Sequence, residues 1–310
     1  MSATTSRAVA LSPPSGTGWD FGDYPYGLEP LTLPRPGESI VTGGPDLAPV
    51  CRELVAAVRE RRLGTVPAGP RDLERLFWFR WMIGHHVSFV IWRLLAEAVG
   101  RLSDPDTDQV ATARAITWYV RGYSAMLLYT ASSTRKIYNS TIRPSMYRLH
   151  DTFSGTWAAD FAPVRSVFRS RRVPPVPPSE LAALREEVAL GHRIHLGVAS
   201  KLVRDGRSLL QHLVDHPAAH QPRMWGAIFD CYFLTVREPV SEHEVTVQML
   251  RRCKAVLADL ATNGLRPAAA DYPEPVPEEL RTPRVRACER DLVDIVLRMA
   301  TLAVSADRGR

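Results

Sequence analysis

From about residue 46 onward the apolar residues recur every three or four positions; before it they do not. Residues 1 to about 45 are rich in proline and glycine (SPPSG, PYGLEPLTLPRPG), which predicts an extended arm. Its aromatic run, Trp19, Phe21, Tyr24 and Tyr26, suits an arm that docks on a surface. Asp46 is then placed to cap a helix over 47–63, which Gly64 stops. Pro70 takes the first-turn position of a long apolar segment, RDLERLFWFRWMIGHHVSFVIWRLLAEAV, that ends at Gly100. A third helix is expected from about 105 to 131, an irregular stretch from about 132 to 155, and a short helix around 161–169. RRVPPVPP cannot be helical and reads as a stiff crossover joining two halves of a bundle, in preference to a polyproline ligand for a partner. Ser179 is placed to cap a very long helix over 180–214, broken by Pro217, and another helix begins near Pro222. Ser241 and Glu244 form a capping box for a helix that stops at Asn263-Gly264, and a last helix spans about 278–304. The pattern contains no strand series, Gly-rich phosphate loop or internal repeat. The predicted fold is all-α: a helical bundle with long core helices over 46–310, preceded by the extended arm.

Composition narrows the class. With 310 residues and 45% apolar, the chain can bury a sizeable core and is not disordered. The four cysteines, Cys51, Cys231, Cys253 and Cys288, form no C-x-x-C pair, so neither a disulfide scaffold nor a zinc ribbon is encoded, and reduced thiols in a cytosol are expected. The longest uncharged stretch in the apolar middle, Gly122 to Thr134, is too short to cross a bilayer, and MSATTSRAVALSPPSG lacks the apolar block of a secretory leader. A soluble, cytoplasmic protein with no membrane partner is the expectation. The net charge is +6, and of 39 basic residues only Lys136, Lys201 and Lys254 are lysines. That charge is modest for this length, and lysine, the usual filler of phosphate-binding surfaces, is nearly absent, so no nucleic-acid partner is expected. A docked arm and long helices are compatible with a homodimer.

Histidine carries the candidate chemistry. His216 and His220 have an i,i+4 spacing, but Pro217 stands between them and makes them loop residues. There is no HExxH motif and no repeated Glu-x-x-His motif for a di-iron bundle, so catalytic zinc is not expected. Two pairs remain, His85-His86 and His192/His195, each inside a long apolar helix. Val188, Gly191, His195, Val198 and Leu202 form one apolar stripe, which directs His195 toward the core with the small Gly191 and Ala199 a turn away on either side. An imidazole on an apolar helix with room for a flat ligand is what axial ligation of a haem iron requires; His195 is the first choice and His192 the second. Periodicity does not choose between His85, which shares a face with Trp81, Ser88 and Trp92, and His86, which shares one with Met82 and Phe89. The competing account for each histidine is a buried side chain satisfied by a carbonyl.

The spacing His86-x-x-Phe89-x-x-Trp92 resembles the H-x-x-[YF]-x-x-W of the distal haem helix in tryptophan 2,3-dioxygenases, all-α haem enzymes that bind an aromatic amino acid over the iron. The segment Ser140-Thr141-Ile142-Arg143-Pro144-Ser145-Met146-Tyr147-Arg148 is similar to the substrate segment of that superfamily, although the dioxygenases have Ser-Gly-Phe where this chain has Ser140-Thr141-Ile142. The chain also resembles the bacterial haem-dependent L-tyrosine hydroxylases of natural-product pathways, from about Asp20 to Leu260, through DFGDYPYGLEPL, IGHHVSFVIWRL, TASSTRKIYNSTIRPSMYRLHDTFSG and GHRIHL. That resemblance implies a tryptophan 2,3-dioxygenase-like haem-binding catalytic domain, haem b, hydrogen peroxide as oxidant, and ortho-hydroxylation of L-tyrosine to L-DOPA in secondary metabolism.

In the mechanism so implied, His195 ligates the iron. His86, with an unperturbed pKa of about 6.5, takes a proton from bound peroxide and returns it, or deprotonates the substrate phenol. Trp81, His85, Phe89 and Trp92 wall the substrate pocket. Arg135, Tyr138, Asn139, Ser140, Thr141 and Arg143 offer polar contacts to the amino-acid end, with Arg135 or Arg143 as the carboxylate clamp. Arg80, Arg93, Arg148 and Arg193 are candidates for the haem propionates. Two alternatives remain: another aromatic-substrate haem oxygenase or peroxidase of the same fold, and a basic helical binding module without haem.

Overall fold

The computed structural model describes residues 29–38, 43–64, 67–168, 176–203 and 222–308. The aromatic run of the arm, most of the RRVPPVPP segment and the loop histidines His216 and His220 lie outside the described residues. The fold is all-α: strand β1 (Leu31–Leu33) is followed by α1 (Ala48–Arg59), α2 (Leu73–Arg101), α3 (Gln109–Thr130), α4 (Arg143–Leu149), α5 (Pro178–Leu202), α6 (Pro222–Tyr232), strand β2 (Thr235–Arg237), α7 (Glu242–Asn263), α8 (Pro283–Arg290) and α9 (Leu292–Arg308). Among the described residues no helix is long and apolar enough to cross a membrane.

Helix boundaries follow local chemistry. α3 starts at Gln109 because the Asp108 carboxylate accepts from the backbone N–H groups of Val110 and Ala111, a few residues later than the sequence alone predicts. α7 has the expected box, with Glu244 N–H donating to Ser241 Oγ and the Glu244 carboxylate accepting from Ser241 N–H, and it stops at Gly264, whose φ is +63°. α5 opens at Pro178 with no side-chain cap, so Ser179 lies inside the helix and does not cap it. The expected single C-terminal helix is interrupted, because Thr282 is extended ahead of Pro283 and a break at Asp291 separates α8 from α9. The stretch expected to be irregular is largely helical. Thr134 Oγ1 accepts from Ile137 N–H, and a π-helical turn, Tyr138–Ile142, then leads into α4.

Three helices make the core that holds the site. α2 runs antiparallel to α3 at very close range: a Cβ on Gly84 would stand 2.3 Å from Thr130 Cγ2, and one on Gly122 would stand 3.3 Å from Ile91 Cδ1. α5 runs parallel to α3, as the successive contacts Arg114–Glu180, Arg121–Glu187 and Ser124–Gly191 show. α7 backs α2 through a buried ion pair, Arg80–Asp259. Arg80 is fully buried; it donates to both carboxylate oxygens of Asp259 (2.8 and 3.1 Å) and to the Gly264 and Leu265 carbonyls (2.6 and 2.8 Å). A guanidinium so deeply placed is tolerable only because each face meets an acceptor.

The described part of the arm supplies one strand of a small sheet that the helical pattern did not predict. β1 pairs in parallel with β2, Leu31 opposite Thr235, Thr32 opposite Val236 and Leu33 opposite Arg237. Gln248 of α7 seals the buried edge, accepting from Thr32 N–H and donating to Thr32 O (2.7 and 2.9 Å). The four cysteines are free, and burial pushes the Cys253 and Cys288 thiols up to about 12.

Candidate active site

Between α2, α3 and α5 lies a cavity of about 420 Å³, within the usual range of small-molecule sites. α2 contributes Trp81, His85, Ser88 and Trp92, which recur on one helical face. α3 contributes Tyr123, Leu127 and Thr130 by the same spacing, and α5 contributes Gly191, His192, His195, Val198, Ala199 and Leu202. The π-helical turn and α4 add Tyr138, Arg143 and Met146, while Phe153, Phe161, Phe168, Phe229 and Phe233 close the walls.

His85 is oriented by its own helix. Its Nδ1 lies 2.6 Å from the Trp81 carbonyl, so Nδ1 carries the proton and Nε2 is left as an acceptor. The ring stacks on Phe233 at 4.4 Å and 21° and meets Trp81 at 4.2 Å with the two planes tilted by 54°. Burial pulls its pKa down from 6.5 to about 4, so it is neutral at pH 7.

His86 is placed differently. It is fully buried outside the cavity, its Nε2 bonded to the Phe233 carbonyl and its Nδ1 accepting from Arg252 Nε at 3.3 Å. Burial, and then the Arg252 charge, hold its pKa well below the ordinary histidine value. The structure does not bring His86, expected as the acid–base residue, into the cavity: both nitrogens are occupied and neither reaches it. Its helical neighbour His85 is the one presented there.

α5 also departs from the expected stripe. Its fully buried position is Ile194, and His195 sits one residue round the helix, where it opens into the cavity together with His192. Neither imidazole makes a hydrogen bond among the described residues. Burial, and then the neighbouring His192, push the pKa of His195 below the ordinary value, which favours the neutral imidazole.

The polar candidates divide sharply. Tyr138 and Arg143 line the cavity, and the Arg143 guanidinium makes no hydrogen bond among the described residues. Arg135 does not line it and donates to the Lys201 and Ser200 carbonyls (2.7 and 3.3 Å), while Asn139 donates to the Arg135 and Leu202 carbonyls. Ser140 and Thr141 are bonded to each other at 3.2 Å and face elsewhere. Phe89 is buried behind the wall, stacked on Trp92 at 5.5 Å. Arg80 is held by Asp259 and Arg93 by Glu97 (3.3 Å), so neither is placed for a propionate; Arg148 and Arg193 are exposed and outside the lining.

Two features were not singled out in the sequence. Trp81 Nε1 donates to the Tyr232 hydroxyl (3.2 Å), which is bonded to Ser145 Oγ (2.8 Å), tying α2, α6 and α4 together at one end of the cavity. At the other end Trp92, Tyr123, Phe161 and Phe168 form an aromatic box, with Trp92–Phe161 at 5.0 Å and Tyr123–Phe168 at 4.9 Å. The Tyr123–Leu127–Thr130 spacing on α3 was the readable signal for the second feature.

Among the described residues no group of three or more His, Cys, Asp and Glu side chains converges as a metal cage. A metal at His195 would therefore need to bring its other ligands with it, as a haem iron does. An unpartnered neutral imidazole, flanked by Gly191 and Ala199 in an apolar, aromatic-walled cavity, fits that group.

Residues 48–174, less than half of the chain, match the model of a family described as SfmD 3-methyl-L-tyrosine peroxygenase. The matched stretch carries His85, Trp92, Tyr123, Tyr138 and Arg143, whereas α5 with His192 and His195 follows it. No curated protein matches the chain significantly.

Proposed function

We propose that the chain is a haem-dependent peroxygenase that hydroxylates the aromatic ring of a tyrosine-like amino acid, converting L-tyrosine to L-DOPA. The observation that carries this reading is that His195 and His85, on different helices, open into one aromatic-walled cavity, each with an uncommitted nitrogen. The similarity to a peroxygenase family over residues 48–174 supports the reaction type and a tyrosine-like substrate. The stoichiometry needs no separate reductant: ring C–H plus hydrogen peroxide gives ring C–OH plus water. A haem held through His195 would supply the iron chemistry that cleaves the peroxide O–O bond. Haem b is proposed because the sequence has no C-x-x-C-H for covalent attachment.

The chain's own groups then have defined tasks. His85 Nε2 accepts a proton from peroxide and returns it to the departing water; being neutral at pH 7, it is in the correct form to begin. Arg143 clamps the substrate carboxylate in preference to Arg135, whose guanidinium is occupied by main-chain carbonyls. Tyr138 lies beside it as a phenol that burial keeps protonated and able to donate. Trp81, Trp92 and Phe233 exclude water and favour a flat ring. Arg148 and Arg193 remain the proposed propionate partners.

A second substrate reading is 3-methyl-L-tyrosine, which the name of the matched family favours. It would be hydroxylated at the remaining position ortho to the phenol. The purified protein, supplied with haem, is expected to show a Soret band that His195→Ala abolishes or shifts strongly. With hydrogen peroxide it should add one oxygen to L-tyrosine or to 3-methyl-L-tyrosine, and the faster of the two identifies the substrate. A colourless protein after haem supplementation would end the haem reading, and an unchanged band in His195→Ala would move the ligand to His192.

A further inference from the structure

We infer that His86, which lies outside the cavity, is a positioning residue: clamped between Arg252 and the Phe233 carbonyl, it holds the Phe233 ring against His85. The inference rests on the proposed importance of His85, but it concerns contacts that exist without any cofactor. A guanidinium can only donate, so the bond from Arg252 Nε makes His86 Nδ1 an acceptor and leaves the proton on Nε2. That proton is donated to the Phe233 carbonyl. Arg252 cannot turn away, because its other nitrogens donate to Glu29 Oε1 (3.0 Å), the Glu29 and Pro30 carbonyls (3.1 Å each) and the Gln248 carbonyl (3.1 Å). Burial pulls its pKa down to about 10, which still leaves it charged at neutral pH.

The backbone beyond the clamp gives independent support. Leu234 has a φ of +50°, a left-handed conformation that a leucine adopts only when its surroundings impose it. They do so from both sides: His86 holds the carbonyl before Leu234, and Leu31 N–H donates to the carbonyl of Leu234 itself at 3.0 Å. The product of this constraint is a Phe233 ring stacked on His85 at 4.4 Å and 21°. Phe233 also meets the lining rings of Phe229, Phe153 and Trp81 at tilted angles, and it stacks on the side chain that offers Nε2.

The test reads His85 by histidine NMR titration of the full-length chain prepared without haem, with the resonance assigned by His85→Gln. The other titratable or charged groups around it are Tyr123, Tyr138, Arg143, His192 and His195 across the cavity and His86 and Arg252 behind it, so each variant is titrated against the same set. His86→Leu removes the clamp and should raise the His85 midpoint by about one unit or more toward the solvated value, as the ring loosens and hydrates. His86→Gln keeps one donor and one acceptor and should restore the wild-type midpoint. Phe233→Leu should raise it as well, and adding His86→Leu to that background should raise it no further. If His86→Leu does not fold, Arg252→Lys, with a shorter reach to His86, takes its place and should give a smaller rise. An unchanged midpoint in whichever variant folds, or an equal rise with and without Phe233, overturns the inference. Because none of these readouts involves haem or turnover, failure here is distinct from failure of the peroxygenase reading.

Discussion

His85 and His86 are adjacent on one helix, and their surroundings assign them opposite kinds of work. His85 has one nitrogen tied to the carbonyl a turn back, at 2.6 Å, and the other open to a cavity. His86 has both nitrogens tied, one by Arg252 and one by the Phe233 carbonyl, with no exposure at all. Burial pushes both pKa values down, so titration direction alone does not distinguish them. What separates the proposed reacting histidine from the proposed supporting one is the count of committed nitrogens and the direction of the free one.

The comparison can be broken most directly at His85. His85→Ala should lower turnover by about 100- to 10,000-fold while leaving the melting temperature close to wild type, as expected for removal of a general acid–base group. If His86→Gln lost as much with His85 intact, the assignment would be reversed. Next in size is the support behind His86. Arg252→Met removes one of the two guanidinium partners of the buried Glu29, leaving Arg251 (2.7 Å) alone on it, and chemical denaturation should show a loss of about 3 kcal/mol.

Acidity sharpens the pair further. A histidine whose folded pKa lies near 4 and whose unfolded pKa is 6.5 binds its proton only in the unfolded chain between those values. Stability should therefore fall as the pH drops from about 6.5 to 4, by at most about 3 kcal/mol from His85, and flatten below. His85→Gln should remove that part of the slope, and a slope unchanged in the variant would show that His85 is not so depressed. The smallest effect belongs to Arg143→Ala, which should raise the KM for the amino acid about 10- to 100-fold with a lesser change in kcat, the loss of a charged hydrogen bond of about 1.5–3 kcal/mol. A KM that moved only in Arg135→Ala would return the clamp to that residue.

The helices were legible where their signals are local. The capping box at Ser241 and Glu244 and the stop at Gly264 place α7 to within a residue, and Pro70 and Gly100 bracket α2 closely. The C-terminal helix was misjudged because the restriction that Pro283 puts on Thr282 outweighs a continuous apolar pattern. Both histidine pairs were visible by residue type, and Trp81, His85, Trp92, Tyr138, Arg143 and His195 do converge on one cavity. The orientation of His86 was not legible, since its partners lie 147 and 166 residues away along the chain. Nor were the commitments of Arg80 and Arg135, which depend on carbonyls that only the folded chain brings near. The small β1–β2 ladder escaped because three residues are too few to show a period.

That ladder has a consequence for the order of folding. Leu31 pairs with Thr235 across roughly two hundred residues of intervening chain, while α2 and α3 meet within one short connection. Closing so long a loop is entropically unfavourable until the intervening helices have packed and shortened the path. During synthesis β1 is made long before the segment after Phe233 with which it pairs. On this topology the local α2–α3 contacts are expected to form before the β1–β2 ladder, so the wall that Phe233 builds beside His85 is expected to be completed late.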